Sequence, residues 1–343
     1  GYKPFETHYH VIAVKDRAST KFKSKETIWG PVIGKNSEGK LLAYRWVAHD
    51  LEAVNMAHLK MERASNVNQA LAIAATAGIP AQNLMVGDRD GNIAWTIMGR
   101  IPTRSKAFGE LPTSWASGEH QWTGYLAAED YPKVINPADG RLWTANSRVV
   151  GGDMYALLGN GGYALGARSK QIKDNLYKQQ SFNEKDILDI ALDDKAVFLT
   201  RWQQFILDNV LTAQQLSEKP NWLAVKEILS NDALAASVDS VAYRIVRNFR
   251  VTVREKVFAN LVGHLESKDS TFNFKSIRAP FETPLWLLIN KQPEGTGLLD
   301  NDDWQALFVS SLEHTLAEMT KDQPLEEATW GKQNTAAIKH PFS

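Results

Sequence analysis

Alternating polar and apolar positions fill the first part of the chain, and apolar positions at helical spacing fill the last part. Residues 7–14 (THYHVIAV) are rich in β-branched and aromatic side chains and read as a strand. Residues 26–34 (ETIWGPVIG) carry a Gly-Pro, which predicts an edge or a bend. Residues 37–40 (SEGK) form a turn before 41–47 (LLAYRWV), so a hairpin is expected. Residues 51–78 change period. Leu51, Val54, Met56, Leu59, Met61 and Ala64, then Val67, Ala70, Leu71 and Ile73, recur at helical spacing. They predict one or two helices ended by Gly78 and Pro80. Strand character returns at 84–97 around Asp90-Gly91, and residues 103–141 are rich in Gly and Pro. A further strand is expected to end at Thr144-Ala145-Asn146-Ser147-Arg148.

From about Ala164 the pattern is helical. A helix opens near Phe182, with Ser181 or Asn183 as N-cap. The longest is expected over 232–265, with an apolar stripe of Val238, Val241, Ala242, Ile245, Phe249, Val253, Val257, Leu261 and Leu265. Thr283-Pro284 predicts an N-cap with Pro at the first helical position, and 304–319 is amphipathic. Strands first and helices later indicate an α+β fold. The division falls into a strand-rich part, 1–163, with a helical insertion near 51–78, and a mainly helical part, 164–343.

Composition narrows the function classes. Lys+Arg and Asp+Glu both number 39 in 343 residues, a balance that speaks against nucleic acid as partner. The chain has no Cys, which excludes disulfides, thiolate nucleophiles and zinc-thiolate sites. No apolar run approaches the roughly 20 residues needed to cross a bilayer. Eleven Trp suit large packed cores.

Most candidate chemistry reduces to structure. Asp88-Arg89-Asp90-Gly91-Asn92 resembles the start of a calcium loop but runs straight into Ile93-Ala94-Trp95, so a hairpin turn is expected. Asp193 and Asp194 are adjacent, and adjacent helical residues do not share a face. His8 and His10 share a strand face without a visible third metal ligand. Arg244, Arg247, Arg250 and Arg254 line one face of the long helix and read as solvated or salt-bridged. Gly159-Asn160-Gly161-Gly162 lacks the Gly-Lys-Ser/Thr of a phosphate loop. Asn146 stays open between two roles. It ends a strand, or its neutral, directional amide donates to an oxyanion.

A set of short segments, in order and spacing, resembles the β chain of penicillin acylase-family N-terminal nucleophile hydrolases. They are residues 27–33 (TIWGPVI), 43–46 (AYRW), 80–83 (PAQN), 88–93 (DRDGNI), 99–104 (GRIPTR), 122–125 (WTGY), 132–137 (PKVINP), 145–148 (ANSR), 330–332 (WGK) and His340-Pro341. The resemblance spans nearly the whole length and implies an incomplete αββα Ntn-hydrolase core. It implies a precursor that cleaves itself, a β-chain N-terminal Ser as nucleophile and its own α-amine as base. Asn146 takes the oxyanion role, and Arg168 looks like the arginine that steadies the site. Pro102, through its carbonyl, and Asp153 match positions of a structural calcium in some members. No catalytic cofactor is implied.

This chain begins at Gly1-Tyr2, and its internal Ser19, Thr20 and Ser24 lack the free amine such a nucleophile needs. The expectation is therefore a middle piece of a β chain, inactive alone, whose parent cleaves N-acyl amides such as penicillins or acyl-homoserine lactones. Its partners would be an α chain and the remaining β-chain segments. A homodimer through uncovered strand edges is also expected, as is a periplasmic or secreted parent. The rival reading is a non-catalytic α+β interaction module. The first reading requires Asn146 and Arg168 to lie close together; the second does not.

Overall fold

The computed structural model describes residues 3–106, 111–277 and 281–339; the His340-Pro341 resemblance lies outside them. It is a mixed helix and sheet fold whose residues gather into two units, Gly1–Ala164 and Leu165–Ser343.

The first unit opens with a four-stranded antiparallel sheet, β1 (Glu6–Ile12), β2 (Thr20–Thr27), β3 (Gly30–Lys35) and β4 (Leu41–Ala43), in that spatial order. Register places Lys25, Lys23 and Lys21 directly opposite Thr7, Tyr9 and Val11. That stripe is held partly by the Lys23 ammonium over the Tyr9 ring, 5.5 Å from its centroid. The β3–β4 turn is organised by one side chain. The Asn36 Oδ1 accepts from the Glu38 and Lys40 amides at 3.1 and 2.8 Å, an Asx-type turn.

Residues 47–63 depart from the helical expectation. They form short 3₁₀ segments, Val47–His49, Leu51–Ala53 and Ala57–Arg63, and only Val67–Thr76 (α1) is an α-helix. Leu51 is 95% exposed, so the apparent apolar stripe does not face a core here. The chain is instead held by Asn55, whose Oδ1 accepts from the Ala57 and Gly78 amides. Such local side-chain bonds to backbone compete with a helical ladder. Asn66 caps α1 by accepting from the Gln69 amide at 3.0 Å.

Beyond α1 come β5 (Gln82–Gly87), β6 (Ile93–Met98), β7 (Pro102–Arg104), β8 (Trp122–Tyr125) and β9 (Lys133–Ile135). β6 is central in a sheet of order β5-β6-β9, and β7 pairs with β8. Its sequence, IAWTIM, is buried at its four inner positions, as a strand covered on both faces requires. The polar exception, Thr96, donates its hydroxyl to the Pro132 carbonyl at 2.9 Å. Trp95, Ile97, Ile101, Leu126, Tyr131 and Ala75 form the core of this unit.

Tyr131 ties that core together. Its hydroxyl lies 3.0 and 2.9 Å from the Ala75 and Gly99 carbonyls and accepts from the Ile101 amide at 3.2 Å. Burial holds its phenol above the usual range, so it stays neutral and can donate. Gly99 sits at φ +120°, and a Cβ there would stand 2.6 Å from the Ile79 carbonyl oxygen, so only glycine fits. Tyr131→Phe strands these buried groups and is expected to lower stability by about 1–3 kcal/mol. A lower urea midpoint at unchanged slope would register it.

The unit ends with α2 (Gly152–Leu158). No regular strand forms over 141–150, contrary to expectation. The Asn83 side chain of β5 donates to the Ala145 carbonyl of this segment and the Ala164 amide to that of Asn146, and the segment joins no ladder.

The second unit is helical: α3 (Ala167–Leu176), α4 (Glu184–Ala191), α5 (Thr200–Phe205), α6 (Ala213–Glu218), α7 (Trp222–Asn231), α8 (Val241–Val257), α9 (Ala259–Lys268), α10 (Glu282–Lys291), α11 (Trp304–Met319) and α12 (Trp330–Gln333). Asn183, of the two candidates, caps α4, and its Oδ1 and Asp186 form a reciprocal capping box. The expected 232–265 helix is two helices and a lead-in. Ser240 caps α8 by accepting from the Tyr243 amide at 3.0 Å, and α8 gives way to α9 at Phe258. Val238 and Leu261 are exposed, while Ala242, Ile245, Phe249, Val253 and Val257 are buried. The stripe is therefore real only over α8.

α10 starts earlier than Thr283-Pro284 predicts. Glu282 is its first residue, and Pro284 stands within the first turn, where no amide donor is needed. Trp202, Phe205, Phe249 and Phe308 centre the core, with Phe205 edge-on to Phe308 at 4.9 Å.

Candidate active site

Asn146 is exposed and follows Ala145 in an irregular segment between β9 and α2. Its backbone carbonyl accepts from the Ala164 amide at 2.9 Å. Behind it stands Asn83 of β5. The Asn83 amide group donates to the Ala145 carbonyl at 3.3 Å and accepts from the Trp95 indole N–H at 2.9 Å. Asn83 pairs with Ile97 and Met85 with Trp95, so Asn83 and Trp95 are diagonal neighbours on one sheet face. Trp95 is 1% exposed. A buried indole thus anchors, through one amide, the backbone immediately before Asn146.

Asn83 and Trp95 were not singled out by sequence reasoning. The available signal was weak: Asn is disfavoured in strands, yet one stands on the same face as the apolar core of the hairpin.

The Asp88 turn is a hairpin connection. Its carboxylate accepts from the Asp90, Asn92 and Val67 amides at 3.0–3.2 Å and from the Asn92 side chain. The Val67 amide leads these donors in holding the Asp88 carboxyl below the usual range. One carboxylate therefore shapes the turn and also serves the first turn of α1.

Arg168 is exposed in the first turn of α3, in the second unit, whereas Asn146 belongs to the first. A cation at a helix N-terminus gains nothing from the helix dipole, so helix stability does not account for it.

Pro102 is buried at the start of β7, and Asp153 is exposed in the first turn of α2. The Arg104 Nη1 donates to the Pro102 carbonyl at 3.3 Å and reaches the Leu157 carbonyl at 3.4 Å. A guanidinium on that carbonyl repels a dication, and two residues supply few of the roughly six to eight oxygens calcium takes. Among the described residues no three His, Asp or Glu gather as a metal site. The residues present do not fit calcium.

The remaining candidates have structural partners. His8 lies 3.3 Å from Glu26, and His10 is 3.1 Å from the Ser24 hydroxyl. Asp193 is partly desolvated, which would raise its pKa. Bonds from Gln171, Asn175 and the Lys195 amide prevail and hold it below the usual range. Arg244 donates to Gln333, Arg247 stacks over Trp330, and Arg250 pairs with Glu282. Arg254 stands by Glu255 and Phe274. That arginine face is thus engaged by its own unit. Gly159–Gly162 is an exposed loop. No helix among the described residues is long and apolar enough to cross a membrane.

The family model for penicillin amidase matches residues 1–343, and the chain belongs to that family. It is 36% identical over 154 residues to penicillin acylase 2 proenzyme of Pseudomonas sp. (strain SE83), covering 44% of this chain and 20% of that protein. It is 24% identical over 203 residues to the acyl-homoserine lactone acylase QuiP of Pseudomonas aeruginosa, covering 59% of this chain and 24% of that protein. These matches span a fifth to a quarter of the relatives' length. The fold is similar to that of a thermostable penicillin G acylase from Alcaligenes faecalis. The TM-score is 0.63 at 17% identity, over 95% of this chain and 62% of that one.

Proposed function

We propose that these residues are the oxyanion-binding part of an N-terminal nucleophile hydrolase of αββα architecture that removes an acyl group from an amine. The observation that carries this reading is Asn146, an exposed asparagine whose preceding peptide is fixed from the buried core, in a chain of the penicillin amidase family.

In this reading the nucleophile is an N-terminal serine on a segment other than these 343 residues. Its Oγ attacks the amide carbon, and its α-amine takes the hydroxyl proton. The carbonyl oxygen becomes an oxyanion that the Asn146 side-chain N–H stabilises. Collapse of the tetrahedral intermediate breaks the C–N bond, and the ammonium returns its proton to the leaving amine. Water then attacks the acyl ester, with the same amine as base, and frees the carboxylic acid. An asparagine suits the oxyanion role because it donates without titrating. Arg168 carries a fixed positive charge and takes the role of steadying the oxyanion site.

The substrate class is an N-acyl amide. The relatives' names, penicillin acylase and acyl-homoserine lactone acylase, share an acyl group removed from an amine. A periplasmic or secreted compartment belongs to the same proposal. The whole processed protein is expected to hydrolyse phenylacetyl or long-chain acyl amides, while a polypeptide of these 343 residues gives no turnover. Product-acid release followed by mass spectrometry tests both. Turnover by the 343-residue polypeptide would refute the placement of the nucleophile, and an inert whole protein would refute the reaction class.

A further inference from the structure

Resting on the reading of Asn146 as oxyanion donor, we infer that Asn83 is a positioning residue for that donor, acting through the Ala145 peptide with Trp95 as its anchor. The indole N–H of Trp95 only donates, and the Ala145 carbonyl only accepts. The Asn83 amide can satisfy both in one orientation alone, with its oxygen toward Trp95 at 2.9 Å and its nitrogen toward Ala145 at 3.3 Å. That fixes the amide, and the amide, together with the Thr144 hydroxyl that donates to the same oxygen at 3.1 Å, holds the Ala145 carbonyl.

The segment it holds has no ladder of its own. Residues 141–150 form neither strand nor helix, so the direction of Asn146 is set by bonds outside any regular element. Two of them bracket it: the bond from Asn83 to Ala145, and that from the Ala164 amide to the Asn146 carbonyl at 2.9 Å. The first reaches back to a fully buried residue of the central strand, β6. An oxyanion donor acts only where the developing charge appears, so a tilt of the Ala145–Asn146 peptide lowers turnover more than substrate binding.

Asn83→Asp separates the two functions of the amide. The carboxylate still accepts from Trp95, but it has no proton for the Ala145 carbonyl and repels it. In the whole processed enzyme, with phenylacetyl amide as probe, N83D is expected to lower kcat about ten- to a hundredfold, as small displacements at a reacting centre do. KM is expected to stay within about twofold, since an interaction made only in the transition state affects kcat. In an Asn146→Ala background, N83D is expected to cause no further loss, because residues acting as a unit are non-additive.

Wild-type kcat in N83D beside a large loss in N146A would overturn the inference and leave the reading of Asn146 intact. An equal loss from N83D with and without Asn146 would also overturn it, as a structural effect independent of the donor. Wild-type kcat in N146A would instead overturn the underlying reading. If N83D fails to fold, Trp95→Phe, which removes the anchoring donor along with part of the buried ring volume, decides through the N146A comparison. A loss of kcat that vanishes in the N146A background supports the inference, and one that persists, or none, refutes it.

Discussion

Replacing Asn146 by alanine in the whole enzyme is expected to lower kcat by about a hundred- to a thousandfold, or about 2.7–4 kcal/mol of transition-state stabilisation. KM should change little, because the ground-state carbonyl is a weak acceptor and the oxyanion a strong one. The Ala164 amide donates to the Asn146 backbone carbonyl, a bond that alanine keeps. A purely structural role predicts the reverse, a lowered unfolding midpoint with kcat retained. Steady-state kinetics and a urea titration on one preparation separate the two. Asn146→Asp is the sharper variant. It is nearly isosteric but places a carboxylate where negative charge develops, so its loss should exceed that of alanine.

Parts of the fold that rest on local chemistry were legible in the sequence. The α11 helix begins and ends at the residues its periodicity predicts, and Asp303 caps it by accepting from the Ala306 amide. The 88–93 turn joins two strands because Asp88 satisfies its amides and Gly91, at φ +83°, takes the conformation a bulkier residue resists. Long-range features were not legible. Residues 51–63 carry helical spacing yet turn in 3₁₀ segments, since Asn55 reaches across to Gly78 and Thr76. The break at Phe258 follows from packing against Phe274 and Phe281, rings distant in sequence. At the candidate site, Asn146 could be named from the pattern of a family. The bridge that holds its neighbour joins residues 83, 95 and 145, and no local spacing announces a contact of that range.

The arginine face of α8 teaches the same point about charge. From sequence it was solvated or paired, without a partner. The partner is Glu282, 3% exposed, at the first position of α10. One carboxylate oxygen accepts from Arg201 and from the Trp202 indole at 2.8 Å; the other accepts from Arg250 at 2.6–2.7 Å. Arg201 stacks over Trp286, 4.3 Å from its ring centroid, and Arg250 lies over Phe198. The carboxylate also sits at the favourable end of the α10 dipole. Two guanidinium groups are thereby drawn against aromatic rings, and the draw on Glu282 explains why α10 starts ahead of Thr283.

Glu282→Ala leaves two partly desolvated cations and a buried indole N–H without their acceptor. Breaking a buried pair from one side costs about 3–5 kcal/mol, because the remaining charge is uncompensated. That is a large fraction of a domain's stability, about 5–15 kcal/mol. The expected result is a sharply lowered urea midpoint for the helical unit. Salt should change the difference little, since screening is weak for buried pairs. Glu282→Gln retains a carbonyl acceptor for the indole and should lose less than alanine. Combining Glu282→Ala with Arg250→Met should recover part of the loss, because it removes one stranded cation and keeps apolar volume over Phe198. Additive losses in that pair would mean that Glu282 acts through helix initiation alone and not through the charges it gathers.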